Sequence, residues 1–307
     1  SGLHRTAVAT GGSLELPRAL VRIIEEFGGA IVTNSTVREI TLESGEARGV
    51  VMEDGTRYNA SQCVLSAIDA PQTVQLAGES AFDDDIVQKI RKWKWGHHTL
   101  LTIHLALNEP PQYSSALFDP DINRTFNVFM GPATTDEFYE NMAEVDRDEM
   151  PSRPMGNGAC NTLFDPTYAP RGKHVAVWWP FARFDLNGSA KNWDDAREEG
   201  TQHLIQSWKS FAPNVNEDNI LGSYLFTPLD ISRRNIIMVH GAVQSGAYDP
   251  DQTGIHRPHV SMSNARTPIP GLYLCGSTTG AGGGMSGAPG YNAANVIAED
   301  LKLGKWW

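Results

Sequence analysis

The sequence predicts an α/β fold of mixed α+β character, with a central β/α segment inserted into a strand-and-helix framework. Three observations lead there. A helical apolar period near the start is followed by short strand-like runs and a hairpin signal. An alternating strand and several amphipathic helices fill the middle of the chain. Near the end, the apolar run Leu272-Tyr273-Leu274-Cys275 passes through a glycine-dense loop into another helix. The expected division is 1–70 and 243–307 as the two parts of one framework, with 71–242 inserted between them.

The elements follow in order. Gly11-Gly12-Ser13 opens a first helix, with Ser13 as its N-cap and Pro17 in the first turn, where a missing N–H is tolerated. Leu16, Leu20, Ile23, Ile24 and Phe27 form its apolar stripe, and Gly28-Gly29 ends it. Ala30-Ile31-Val32 reads as a short strand. Residues 37–42 and 48–53 are strands about Ser44-Gly45, Asp54-Gly55 turns the chain into Thr56-Arg57-Tyr58, and 62–66 is a buried strand. Residues 71–95 are helical, with Asp83-Asp84-Asp85 placed favourably at a helix start.

Residues 99–107 alternate as a half-buried strand, with Leu101, Ile103, Leu105 and Leu107 on one face. Residues 109–172 are rich in proline, glycine and acids, with a helical patch at 136–145. A strand over 175–181 and a helix over 194–211 follow, the helix carrying Leu204, Ile205, Trp208 and Phe211 on one side. Further strands are expected over 220–242, then a Gly/Pro/Asp-rich loop up to Pro270.

Composition excludes several classes. The chain has 307 residues, 40% of them apolar and 20% charged, as in ordinary globular proteins. A formal charge of -11 with no basic run argues against a nucleic-acid partner. No stretch approaches the ~20 apolar residues of a membrane span. Cys63, Cys160 and Cys275 lie far apart without a CxxC pair, so a reducing, cytoplasmic compartment is expected. The terminal Leu303-Gly304-Lys305-Trp306-Trp307 is expected to pack on the body of the protein or on a partner.

The densest signal is GSTTGAGGGMSGAPGYNAANVIAEDL, beginning at Gly276. Ordered glycine in regular structure costs roughly 0.5–1 kcal/mol against alanine, so such a cluster marks positive φ or close approach of another group. Strand, glycine loop and helix together aim backbone N–H groups and the positive end of a helix dipole at an electron-rich ligand. The alternative is a tight turn with no ligand.

PIPGLYLCGSTTGAGGGMSGAPGYNAA resembles the C-terminal motif of FAD-dependent oxidoreductases of the phytoene desaturase and carotenoid isomerase type. Gly11-Gly12-Ser13 with its helix, the meander NSTVREITLESGEARGVVMEDGTRYNASQCVLSA, and HGAVQSGAYDPDQTGIHRP are similar to the same family's mid-chain and late segments. Where many relatives carry Thr-His-Pro, this chain has Thr279-Gly280-Ala281, and Tyr291 replaces an arginine before Asn-Ala-Ala.

The resemblance implies the C-terminal part of a FAD/NAD(P)-binding Rossmann-like fold, with a mixed β/α substrate domain inserted at 71–242. It implies FAD as cofactor. Val37, Ser66 and Ala67 fall on its adenine side, and Gly276, Ser277, Gly282, Gly283, Gly284, Met285, Ser286 and Gly287 approach its ribityl chain and ring. The strand–GxGxxG–helix unit with which such enzymes begin is absent from this sequence, so the resemblance implies a separate or cleaved N-terminal Rossmann half.

The implied activity is desaturation or dehydrogenation of a largely apolar small molecule. A flavin-dependent isomerase without net redox, and a non-catalytic subunit completing another chain's fold, remain as alternatives. Hydride transfer to a flavin requires no acid–base triad, and none is visible. The histidines His97, His98, His104, His240, His256 and His259 lack metal-ligand spacing, so no metal is expected. Trp178, Trp179, Phe181 and Phe184 read as a packed sheet face rather than a cavity lining.

Overall fold

A computed structural model describes residues 8–284 and 286–304. Within it the chain forms two compact units, one running up to Ile31 and including His98–Arg234, the other comprising Val32–His97 and the residues from Asn235 onward. These boundaries differ from the expected cuts at 70 and 242. The opening segment groups with the middle of the chain because Asp165 accepts the Gly11 N–H at 2.7 Å, and Gly12 lies beside the Tyr168 ring.

In the first unit, helix α1 spans Glu15–Glu26. It starts two residues beyond Ser13, and its N-cap position is Leu14, so Ser13 does not cap it. The predicted strand at Ala30-Ile31-Val32 does not form.

The core of this unit is an antiparallel sheet in the order β10-β6-β9-β8-β7, with β5 also pairing β9. Its strands are β5 (Thr99–Leu100), β6 (Thr102–Leu107), β7 (Val128–Met130), β8 (Gly156–Cys160), β9 (His174–Ala182) and β10 (Ile220–Phe226). Strands β7 and β8 lie in the stretch rich in proline, glycine and acids, where no strand was singled out from sequence. The glycines of β8 let its backbone approach its neighbour closely: a Cβ at Gly156 would meet the Trp179 carbonyl oxygen.

Helices α4 (Thr135–Asp146), α5 (Asn192–Asp195) and α6 (Arg197–Phe211) accompany the sheet. Leu204, Ile205 and Trp208 of α6 are buried, and Trp208 meets Trp178 of β9 edge-on at 5.9 Å between ring centroids. Trp178 is fully buried in the packed face, as its alternation predicts.

After β10 the chain forms helix α7 (Pro228–Arg234) where further strands were expected. Thr227 accepts the Asp230 N–H at 3.2 Å, and Asp230 accepts the Thr227 N–H at 3.0 Å. This reciprocal cap, with proline at the first helical position, outweighs the strand preference of the apolar residues that follow.

In the second unit, the meander forms as predicted: β1 (Val37–Glu43), β2 (Glu46–Met52) and β3 (Arg57–Asn59) make an antiparallel sheet. Strand β4 (Val64–Ser66) instead pairs in parallel with β11 (Leu272–Leu274), with Val64 opposite Leu272 and Ser66 opposite Leu274. Helices α2 (Ala70–Ala77) and α3 (Asp84–Arg91) follow β4, and α8 (Ala288–Asp300) follows the glycine loop.

The core of this unit gathers Ile40 and Ala47 from the meander, Val74, Ile86 and Ile90 from the helices, and Leu272 and Leu274 from β11. A parallel pair cannot be closed by a hairpin, so β4 and β11 meet only because the intervening chain returns to the same unit. The three cysteines are unpaired. No helix among the described residues is long and apolar enough to cross a membrane.

Candidate functional site

Strand β4 delivers Ser66 and Ala67, and β11 delivers Gly276 and Ser277, to adjacent strand ends. The Cys275 N–H donates to the Ser66 carbonyl at 2.7 Å, extending the ladder by one bond. Gly276 then turns with φ +101°, and a Cβ there would lie 2.8 Å from the Ala67 carbonyl oxygen. Only glycine meets both conditions without displacing backbone.

The loop beyond is tied down on its protein side. Thr278, fully buried, accepts the Ala70 N–H at 3.0 Å and so satisfies the first turn of α2. Asp69 caps the same helix by accepting the Gln72 N–H at 2.8 Å, while burial pushes its carboxyl above the usual aspartate range. Ser66 and Thr73 share a hydroxyl–hydroxyl bond of 2.7 Å. Strand end, loop and helix start therefore form one hydrogen-bonded corner.

Arg257 and Tyr248 brace this corner from beneath. The Arg257 side chain is completely buried and donates to the carbonyl oxygens of Ser277, Ala247, Gln252 and Gln244 at 2.7–3.2 Å. Its guanidinium lies 4.6 Å from the Tyr248 ring centroid and 5.3 Å from that of Trp93. The Tyr248 hydroxyl accepts the Gly283 N–H at 2.6 Å.

The predicted residues separate accordingly. Ser66, Ala67, Gly276 and Ser277 are brought together by the parallel strands. Gly282 and Gly283 abut Tyr248, which lies 2.9 and 3.2 Å from where their Cβ atoms would be. The backbone freedom at these two positions thus accommodates the protein's own Tyr248 side chain.

Gly284 and Gly287 differ. They have φ of +102° and +70°, and a Cβ at either would meet no atom within 4 Å. Gly287 is the N-cap of α8, whose first turn contains no acid and whose cap makes no side-chain hydrogen bond. The positive end of the α8 dipole is therefore not neutralised by a carboxylate of its own turn, which suits an electron-rich group. Ser286 lies between them, its hydroxyl accepting the Ala288 N–H at 3.2 Å. Met285 lies outside the described residues. Val37 opens β1, in a different sheet from the strand pair.

Beside the loop is an open groove of about 590 Å³, lined by residues including Ser263, Asn264, Gly280, Tyr291, Asn292 and Asn295. It brings together Gly280 and Tyr291, the two positions at which the sequence departs from the pattern of the family it resembles. At the far end of the same unit, Arg266 and Tyr273 bind Asp300, the last residue of α8, at 2.8 and 2.9 Å, fixing that helix against β11. No group of three His, Cys, Asp or Glu among the described residues stands where it could hold a metal ion. His98 pairs with Asp146 and His259 with Asp85.

Arg257 and Tyr248 were not singled out from sequence. A lone arginine in a Gly/Pro/Asp-rich loop carries no periodic or spacing signal, and its partners are carbonyls, which every residue possesses. The neighbouring His-Arg-Pro was visible only as part of a family-like segment.

A parallel strand pair that leads through a glycine loop into a helix is an arrangement used by cofactor-binding α/β folds. The chain belongs to the flavin-containing amine oxidoreductase family, whose model matches residues 2–298. It is 29% identical to a limonene dehydrogenase subunit of Castellaniella defragrans, over 97% of this chain and 56% of that protein. It is 25% identical to a lycopene-forming phytoene desaturase of Paracoccus sp., over 95% of this chain and 55% of that one.

Among solved structures, an oxidoreductase from Methanosarcina mazei is similar at a TM-score of 0.53 and 17% identity, covering 94% of this chain and 54% of its own, which shows the shared fold. The chain thus spans about half the length of the curated relatives it matches.

Proposed function

We propose that this chain supplies the ring-side half of an FAD-dependent oxidoreductase of the desaturase or dehydrogenase type, acting on a largely apolar organic molecule. A strand–GxGxxG–helix half, on a separate or cleaved polypeptide, completes the cofactor site. The observation that carries this reading is the corner where Gly276 packs on Ala67 while Gly284 and Gly287, in left-handed conformations, face open space ahead of α8. The names of the limonene dehydrogenase component and the phytoene desaturase support an apolar substrate, and the first of them also supports a multi-chain arrangement.

Bound FAD supplies hydride acceptance. The chain's own contribution is positional and electrostatic. Ser66, Ala67, Gly276 and Ser277 form the strand-end floor, with Val37 assigned to the adenine side. Ser286 and Gly287 bring the start of α8 to the ring. A helix N-terminus at this place favours developing negative charge by about 0.3–2 kcal/mol, a contribution realised only as the ring is reduced. Gly282 and Gly283 act one step back, seating the loop on Tyr248.

The test uses the native species purified with whatever polypeptide accompanies it, measured by intact mass and visible absorbance. A flavin band that bleaches with an apolar substrate supports the oxidoreductase. Bound flavin with isomerised product and no net turnover selects the isomerase, and a colourless complex selects the non-catalytic subunit. Gly284→Ala is the informative variant because the added Cβ meets no described atom within 4 Å, so beyond the strain of a positive φ it fills only open space. Its circular dichroism should match the parent while flavin retention is lost; full flavin occupancy in this variant overturns the assigned corner. Gly283→Val also disturbs Tyr248, so loss of flavin there is expected but less diagnostic.

A further inference from the structure

We propose that the first unit carries a small-molecule site of its own, a pocket that takes a primary ammonium on a short aliphatic body. The pocket holds about 320 Å³ and is built from three segments of that unit. Met150 comes from the stretch after α4, and Leu186 and Asn187 from the bridged turn after β9. Ala196, Glu199, Gly200 and His203 come from α6 and the residue before it. None of these residues belongs to the glycine corner, so the pocket's chemistry is independent of bound flavin.

The α6 positions recur at the spacing of one helix face, beside the stripe of Leu204, Ile205 and Trp208 that the core covers. Glycine is a poor helix former, yet Gly200 has a reason to be glycine. A Cβ there would stand 3.2 Å from both Leu225 Cδ2 and Met150 Cε. Its absence lets Met150 lie against the helix, where Met150, Leu186 and Ala196 give the pocket an apolar wall.

The two ionisable side chains of the wall offer acceptors. His203 Nε2 lies 2.8 Å from the Pro151 carbonyl, which can only accept, so that nitrogen carries the proton. In the neutral ring Nδ1 keeps its lone pair, and it has no partner among the described residues. Glu199, one turn earlier, likewise has neither a hydrogen bond nor an ion pair among them. A carboxylate beside an imidazole lone pair suits a group with several N–H donors and a positive charge, which a primary ammonium provides. An alcohol brings one donor and no charge, and a carboxylate is repelled. Glu198 in the same turn remains to offset the α6 dipole when Glu199 pairs with a cation. The net charge of -11 also favours a cationic ligand.

The rim is fixed before any ligand enters. The Asn187 N–H donates to the Asp148 carbonyl at 2.7 Å, and the Asn192 amide donates to the Leu186 carbonyl at 2.8 Å. Asp148 and Asn187 hold φ of +60° and +49°, a left-handed conformation that these two residue types tolerate. With His203 held by Pro151, the pocket is shaped in advance, which lowers the ordering cost of binding.

The experiment titrates the full chain with n-hexylamine by calorimetry near neutral pH, with n-hexanol and hexanoate as probes of matched tail. The amine should bind about tenfold or more tighter than the alcohol, and hexanoate should not bind. Glu199→Gln keeps the shape of the side chain and should bring the amine down to the alcohol's affinity at an unchanged melting temperature. Glu199→Lys should reverse the preference, so that hexanoate binds and the amine does not. Hydrogen exchange should show amine-dependent protection at 186–187 and 196–203 in the parent, lost in Glu199→Gln. Amine binding that survives Glu199→Gln, or protection confined to other segments, overturns the site. Equal affinity for amine and alcohol, or no binding of the amine at all, overturns the proposal as well.

Discussion

Arg257 donates its Nε proton to the carbonyl oxygen of Ser277 at 2.7 Å, and no carboxylate pairs with that guanidinium among the described residues. A buried arginine is ordinarily neutralised by an acid. Here a ring of carbonyl dipoles from 244–252 and 277, with the faces of Tyr248 and Trp93, takes that role. The positive charge thereby joins the late loop to the glycine corner.

Replacing Arg257 should accordingly be costly. Arg257→Met removes the donor from the Ser277, Gln252 and Gln244 carbonyls and leaves Ala247 only the Gln252 amide, and charged hydrogen bonds of this kind are worth about 1.5–3 kcal/mol each before relaxation. The expected loss is at least ~3 kcal/mol in urea unfolding. Arg257→Lys should fall between, since one ammonium cannot reproduce a planar fork. A methionine variant within ~1 kcal/mol of the parent would show that the carbonyls find water or one another.

Two glycines of nearly equal φ separate backbone strain from close approach. Gly276→Ala combines a positive φ with a Cβ at 2.8 Å from the Ala67 carbonyl, and should cost ~2–4 kcal/mol. Gly284→Ala carries the strain without the contact and should cost ~1–2 kcal/mol. Equal losses in thermal unfolding would mean that the β4–β11 junction yields without penalty.

Asp165 predicts an acid-side stability loss. The Thr167 hydroxyl, the Gly11 N–H and the Thr167 N–H hold its carboxyl below the ordinary aspartate value. With the folded value lower than the unfolded one, its contribution is fully present above the unfolded pKa and fades as pH falls through the folded one. Asp165→Asn should flatten the stability profile below about pH 4, the ordinary aspartate range, and leave its shape near neutrality unchanged. An identical acid limb in the variant would remove Asp165 from the account.

At the far end of α8, Tyr273 donates its hydroxyl to Asp300 at 2.9 Å, and its phenol is pushed up to about 12, first by burial and then by that carboxylate. Asp300→Asn should lower the phenol's titration midpoint without returning it to the free value, since burial remains. Tyr273→Phe should cost about 1 kcal/mol in denaturant unfolding. A phenol that titrates identically with and without Asp300 would place the whole shift in burial.

Local patterns made several elements legible. Alternation and the Asp54-Gly55 turn located the meander β1–β3, and the apolar run before Gly276 located β11. The helix expected after the glycine-dense loop is α8, which begins at Ala288. The helix α7 was also written in the sequence, in Thr227-Pro228-Leu229-Asp230, but the apolar residues around it favoured a strand reading.

The candidate corner was legible as a motif and only partly as a site. Spacing identified the glycines of 280–287 as a group, yet it could not distinguish Gly283, whose N–H is given to Tyr248, from Gly284, which faces open space. That distinction depends on a residue thirty-five positions away in the chain. Helix α1 shows the same limit from the other side: its period was evident, but no period states whether anything covers the stripe, and none of its side chains is buried.

By itself, then, the sequence determined the family, the strand–glycine–helix order and the amphipathic faces, because periodicity, turn chemistry and helix caps act between residues a few positions apart. The tertiary structure alone decided that β4 and β11 lie parallel, that Arg257 is buried among carbonyls, and which glycines remain open. Those outcomes depend on contacts between segments far apart in the chain, where geometry and desolvation, rather than local preference, select the partner.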